Sequence, residues 1–297
     1  MKTNKKTIFH FALPTILSLL VMFVYPVLRT VIMSFFQVTS VTSPVAAWEF
    51  NGFANYLKIF GSPDWQNSMW NMIRIWAIGG VITLSIALLF AVILTSGIRF
   101  KKFFRAAIYL PNVISAVALA TMWIQYIYSY DYGMLNRIVT FFGGEQVQWL
   151  GQDMKFWAML IAFIFGAVGY YMLIFISGIE SIPADLYEAA TIDGANKKDQ
   201  FLHITMPLLK GITKTNITFW TVNTTTFFLW SKMFSPLEAE KATTVPVVFL
   251  YAEVFGGKTG AATDAGAGAA TGVLLAVIIL LVYLIMNKVV KDDELEY

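Results

Sequence analysis

Six stretches of the chain stay apolar for about twenty residues, and polar or glycine-rich intervals separate them. They run over residues 9–35, 72–95, 106–128, 156–177, 211–230 and 269–286. An α-helix rises about 1.5 Å per residue, so roughly 20 apolar residues cross the ~30 Å hydrocarbon core of a bilayer. The expected fold class is therefore all-α: a polytopic membrane protein with six transmembrane helices. The first stretch follows Lys2, Lys5 and Lys6, as the apolar part of a signal peptide would. It lacks a small-residue cleavage site and is longer than such a segment, so it reads as a retained first helix. Pro14 and Pro26 within it should bend it or mark its ends. The domain reading follows: 1–70 for the first helix and an external loop, 71–290 for a core of five helices, and 291–297 for a short charged tail.

The polar interval at 178–210 carries helix signals of its own. Ser181 can cap, Pro183 suits a first turn, and Asp185 would sit near the positive end of the helix dipole. Leu186, Ala189, Ala190 and Asp193 fall at helical spacing, which gives a short helix with a small-residue face that another surface can approach closely. Gly194 can take positive φ and stop it. A second short helix is expected over 196–202, and Pro207 should mark the start of the next span.

Charge sets the orientation, because cytoplasmic loops carry the excess of Lys and Arg. With the N-terminus cytoplasmic, that side holds Lys2, Lys5, Lys6, Arg99, Lys101, Lys102, Arg105, Lys197, Lys198, Lys210, Lys214, Lys288 and Lys291. The other side holds Arg29, Lys58, Arg74, Arg137, Lys155, Lys232, Lys241 and Lys258, so the split is 13 against 8 of 21. Both termini are expected in the cytoplasm, with the 178–210 interval beside them. Composition agrees with the membrane reading. Only 13% of the 297 residues are charged and 58% are hydrophobic, against about 25% charged in soluble proteins. A net charge of +3 spread along the chain gives no nucleic-acid surface. The absence of cysteine excludes disulfides and thiolate metal sites, and His10 and His203 lie too far apart in sequence to suggest a metal centre.

The order Glu188-Ala189-Ala190-x-x-Asp193-Gly194-Ala195, then Phe201, Ile204 and Pro207, resembles the coupling loop of prokaryotic ABC importer permeases. The resemblance extends over nearly the whole chain: Tyr25-Pro26, Ser34-Phe35-Phe36, the 50–56 segment ending in Asn55-Tyr56, Arg105 to Pro111, and Trp123 followed by Gly133 and Asn136. It is similar to the membrane subunits of carbohydrate-uptake ABC transporters of the maltose and glycerol-3-phosphate type. The resemblance implies a type I (MetI-like) permease fold in a prokaryotic cytoplasmic membrane. It implies a second homologous permease, two ATPase subunits and an extracytoplasmic solute-binding protein as partners. Glu188, Ala189, Ala190, Asp193, Gly194, Ala195 and Pro207 would then form the part that docks into the ATPase. No cofactor is expected in this chain, since ATP and Mg would bind the ATPase. One departure stands out: where such permeases often carry T-x-G-G-P after the fifth helix, this chain reads Lys232-Met233-Phe234-Ser235-Pro236-Leu237-Glu238.

Other signals lead elsewhere. The stretch 252–259 ends in Gly257-Lys258-Thr259 like a P-loop, but Ala252 stands where the first glycine belongs and the segment should face outward. No Ser-His-Asp set, paired carboxylates or metal cluster is legible, so no catalysis is expected here. The fifth apolar stretch carries Thr215, Asn216, Thr218, Thr221, Asn223, Thr224, Thr225 and Thr226. Each would cost about 1–3 kcal/mol if buried unpaired. Their partners are either groups within the bundle or the water of a pathway. A sugar pathway would mix such groups with aromatic faces, for which the candidates are Asn223, Thr224, Phe227, Trp123, Gln125, Tyr170 and Tyr171. Trp230 and Tyr126, near the outer ends, read as interfacial belt residues. The middles of helices three to five carry no charge, which points to a neutral solute. The alternatives are the same machinery serving a polyol, glycerol-phosphate or peptide, an ion-coupled secondary transporter, or a sensory scaffold.

Overall fold

The computed structural model describes residues 5–237, 239–256 and 262–290. Lys2, Glu238, the Gly257-Lys258-Thr259 stretch and the 291–297 tail lie outside them. Helix α1 (Phe11–Met33) runs through both of its prolines, with one widened turn at Leu20–Val24 between them. Such an insertion lets a helix absorb the hydrogen bond that proline removes. A two-stranded antiparallel ribbon follows, β1 (Phe36–Gln37) against β2 (Glu49–Phe50), and then α2 (Ala54–Gly61). The long α3 (Pro63–Thr95) also carries a widened turn, at Ile75–Gly79.

The expected span at 106–128 is not one straight helix. It is α4 (Lys101–Val113) and α5 (Ala116–Ile127), whose axes differ by 97°. Pro111 removes a backbone donor from the last turn of α4, Ile114 is extended, and Ser115 caps the new helix by accepting from the Ala118 N–H. After α6 (Met134–Phe141) comes α7 (Lys155–Glu180), a continuous span and the most buried of them. Two short helices follow, α8 (Ala184–Ile192) and α9 (Lys197–Gln200), the latter running on through a wide turn, Phe201–Thr205, into Met206–Leu208. The expected span at 211–230 is divided between α10 (Lys210–Thr225) and α11 (Leu229–Phe234). With 16 residues, α10 reaches only about 24 Å. The chain ends its described course with α12 (Pro246–Phe255) and α13 (Ala265–Val289). Among the described residues four helices, α1, α3, α7 and α13, are long and apolar enough to cross a membrane, and the bent pair α4–α5 brings the number to five when counted as one span, where six straight spans were expected.

The chain divides into two compact units. One comprises the described residues up to Gln66 together with Phe249–Val277. Met33, Val38, Ala265 and Ala269 form its small core, with Phe36 and Trp48 packed on it. Buried Asn55 donates to the carbonyls of Ser34 and Phe36, each at 2.9 Å, and so holds the turn from α1 into the ribbon. Lys58 bridges Asp264 at 2.7 Å and Glu253 at 3.6 Å.

The other unit comprises Asn67–Val248 and the described residues from Ile278 onward. At its centre α7 packs against the Gly80–Thr95 part of α3 and against α4. The approach of α4 is close because residue 169 is glycine: a Cβ there would lie 2.5 Å from the Ile108 carbonyl oxygen. Trp220 fills the space beside Phe163 and Tyr171, and its indole N–H donates to the Trp76 carbonyl at 2.8 Å. Buried Asn136 donates to the carbonyls of Tyr130 and Val147 and accepts from the Val147 N–H and the Trp149 indole, which ties the polar interval after α5 together.

Candidate functional site

Two places bring the candidate residues to chemistry, and both lie within the second unit. The first is the helix–turn–helix of α8 and α9. Pro183 occupies the cap position of α8, with Ala184 its first residue and Asp185 in its first turn. Ser181 does not cap: its hydroxyl donates back to the Gly178 carbonyl at 2.8 Å, at the end of α7. Gly194 has φ +83° and ends α8. The Ala195 N–H returns to the Ala190 carbonyl at 2.9 Å and the Gly194 N–H to the Thr191 carbonyl at 3.1 Å, which satisfies the last turn. Asn196 then caps α9 in a reciprocal pair with Asp199. Pro207 lies inside the last helical turn, Met206–Leu208, rather than at the first turn of α10.

No residue of α8 is buried. Glu188, Ala189, Asp193 and Gly194 are exposed, Ala190 and Ala195 half-buried, and Pro207 exposed. Apolar side chains stand beside them, with Ile192 86% exposed and Leu186 and Leu202 about half so. Exposed apolar side chains of this kind, on and beside a folded helix, mark a surface open to contact. What holds it in shape was not singled out from the sequence. Buried Gln200 donates to the Thr191 hydroxyl at 2.8 Å and to the Tyr187 carbonyl at 3.3 Å, and the Tyr187 and Thr205 hydroxyls bond at 2.9 Å. The signal was present: an amide and an aromatic hydroxyl whose spacing from Thr191 and Thr205 spans the two short helices.

The second place is a cleft of about 170 Å³ beside the break between α4 and α5. Pro111, Asn112, Ile114 and Ala116 line it from the break, Phe163 and Gly166 from α7, and Asn223 and Trp230 from the α10–α11 region. Of the candidate pathway residues only Asn223 lines it directly, and its amide lies 3.4 Å from the buried Tyr171 hydroxyl. Phe227 is buried edge-on against Phe163, at 4.7 Å between ring centres. Tyr170 meets Tyr171 edge to face and is partly exposed. Trp123 packs on Tyr128 and Phe165 instead, and Gln125 is exposed elsewhere on α5. Trp230 is buried against Phe163 and is not a belt residue, whereas Tyr126 is 64% exposed. Asn112 and Phe163, which the sequence reading passed over, are central to the cleft.

The threonines of α10 find their partners within the bundle, chiefly among backbone carbonyls. The hydroxyls of Thr215, Thr218, Thr221, Thr224, Thr225 and Thr226 each donate to the carbonyl four residues earlier, at 2.8–3.0 Å. These bonds lie within their own helix, and the Thr221 hydroxyl also accepts from the Trp76 indole N–H of α3 at 2.9 Å. Asn216 differs: it is fully buried and neither its amide nitrogen nor its oxygen has a partner.

Residues 84–292 match the family described as the binding-protein-dependent transport system inner membrane component. The chain belongs to that family. This inner membrane component is 32% identical, over 85% of its length, to the probable ABC transporter permease protein YurN of Bacillus subtilis (strain 168), 86% of which is covered. It is 31% identical to the trehalose/maltose transport system permease protein MalF of Thermococcus litoralis, over 67% of each chain. Its fold is the MetI-like permease fold. It superposes with a TM-score of 0.81 on a chain of a bacterial ABC transporter that imports the acidic polysaccharide alginate, covering 97% of this chain and 96% of that one at 20% identity.

Proposed function

We propose that this inner membrane component is the permease subunit of an ATP-binding-cassette importer for a sugar or oligosaccharide, driven by ATP hydrolysis in a separate subunit. The observation that supports it is the exposed α8, with Glu188 outward and Gly194 closing the turn. Glu188 and Ala189 would enter a cleft of the ATPase, Ala190 and Asp193 would flank them, and Gly194, Ala195 and Pro207 would set the angle of the two short helices. Both termini and α8 are assigned to the cytoplasm by the Lys and Arg count. Residues 1–70 then form the first span and external loop, 71–290 the core and 291–297 the tail. The chain itself holds no ATP or metal; nucleotide and Mg belong to the ATPase. A second permease would complete the pathway, and an external binding protein would deliver the solute.

Inside, the cleft at the α4–α5 break is the substrate station, with Asn223 and Asn112 offered to hydroxyls and Phe163 and Trp230 to ring faces. Thr224, Phe227, Tyr170 and Tyr171 support it from behind, and Trp123 and Gln125 belong to the wall of the pathway above. Carbohydrate chemistry is favoured because the described lining is amide and aromatic without charge, and because the trehalose/maltose relative bears that activity in its name. Transport follows as a two-state exchange of access, in which ATP closes the ATPase dimer and α8 carries that motion to the spans. Gentle purification from the native host with mass spectrometry tests the assembly. A second permease and an ATPase should co-purify, and a chain that emerges alone from several mild detergents would refute the reading.

A further inference from the structure

Arg74 is a cation on the membrane-crossing α3, and among the described residues no carboxylate pairs with it. Its guanidinium carbon lies 3.9 Å from the centre of the Phe156 ring and 5.9 Å from that of Trp70. One terminal nitrogen donates to the Asn71 side-chain oxygen. Asn71 is itself immobile: it is fully buried, and its amide nitrogen donates to the carbonyls of Lys241 and Thr244. The Arg74 Nε is buried and makes no hydrogen bond. A guanidinium stacked on aromatic rings and fixed at one corner is a pre-organised fork, and the partner such a fork matches best is a carboxylate. A pre-organised cation without a carboxylate partner, set in a cleft, is a candidate for a ligand's charge.

Arg74 lines a cleft of about 450 Å³ on the side assigned as outer. That volume lies within the range of sites for small ligands. The rest of the lining narrows the ligand. Lys241 adds a second positive charge. Glu240 does not neutralise the pair, because both of its oxygens are held by Lys155, at 2.7 and 2.8 Å. Asp153, also in the lining, opposes a doubly charged phosphate more strongly than a single carboxylate and can accept from a hydroxyl. Asn67 gives its amide hydrogens to the Lys241 carbonyl at 2.9 Å, which leaves its oxygen as an acceptor. Trp157, 41% exposed, offers an indole face to the C–H side of a ring.

We infer that this outer cleft binds the carboxylate of an acidic saccharide, a uronate or an oligomer that contains one, before the solute passes to the uncharged station at the α4–α5 break. The inference rests on the transporter reading above and narrows its substrate class. Arg74 meets the carboxylate through the guanidinium N–H groups that Asn71 does not take, Lys241 adds its charge, Asn67 and Asp153 take hydroxyls, and Trp157 covers the ring. A neutral sugar leaves the Arg74 fork unpaired and so binds less well.

The test uses the assembled importer in nanodiscs without its binding protein, titrated with digalacturonate, glucuronate and their neutral counterparts galactobiose and glucose, with tryptophan fluorescence as readout. The acids should quench saturably and bind at least tenfold more tightly than the neutral sugars. Arg74→Gln should remove that preference, Arg74→Lys should restore part of it, and Trp157→Phe should diminish the quench. Equal affinity for acid and neutral sugars, or an Arg74→Gln variant that retains the preference, overturns the inference. ATP hydrolysis is read on the same particles after the binding protein is added back, so a competent importer with no acid preference sinks this inference and leaves the transporter reading standing.

Discussion

Glu188 is exposed on a helix that buries none of its own residues, so its carboxylate is not needed to hold this chain together. Glu188→Ala should therefore insert and fold like the parent protein while losing ATP hydrolysis coupled to transport, and wild-type transport by the variant would contradict its role. Gly194→Pro reaches the same end by another route, since a φ of +83° lies outside what proline can adopt. Gly169 makes the opposite case, of a residue whose importance is entirely internal. A Cβ there meets the backbone of Ile108 and Tyr109, which cannot rotate away. Gly169→Leu should cost about 1–3 kcal/mol by overpacking, seen as a lowered melting temperature and poor recovery of the purified protein. Gln200→Ala removes two bonds across the helix–turn–helix, at about 1 kcal/mol each. Amide hydrogen exchange in α8 should quicken while the spans exchange as before.

At the scale of elements, the small clip among Lys58, Glu253 and Asp264 gives a dependence on pH. Burial raises the Glu253 pKa above 4.5, and the hydrogen bond to Asp264 raises that of Lys58 above 10.5. A group whose pKa is raised on folding stabilises the fold below its unfolded pKa, and the benefit fades as pH climbs through the folded value. Protection of α12 should thus weaken as pH rises past 4.5, and Glu253→Gln should flatten that slope, as read by hydrogen exchange between pH 4 and 8. The positions of the spans and of α8 were legible because apolar length and a glycine stop are local signals. The break between α4 and α5 was not read, although Pro111 and Ser115 both announce it, because the apolar run continues unbroken across them and length outweighed punctuation. The division of the fifth expected span and the burial of Trp230 were hidden for a different reason. Trp230 packs against Phe163 and Gly166 of α7, and no periodicity within residues 211–230 records either feature.

For the molecule as a whole, α1 matters through what it lacks: none of its apolar window is buried by the rest of the chain. Lipid or another subunit must cover it. The exchange of access proposed above asks more of the spans than cover, because some of them must change curvature and return without coming apart. In α10, each backbone carbonyl that receives a threonine hydroxyl holds a second hydrogen bond in reserve. When the helix flexes and an amide draws away, the hydroxyl keeps that oxygen satisfied, so the restoring force is weak and no water need intrude. The threonine run then acts as a spring of low stiffness. Replacing Thr218, Thr224 and Thr225 together by valine, nearly equal in shape, should stiffen it: the turnover number should fall while solute affinity stays within twofold.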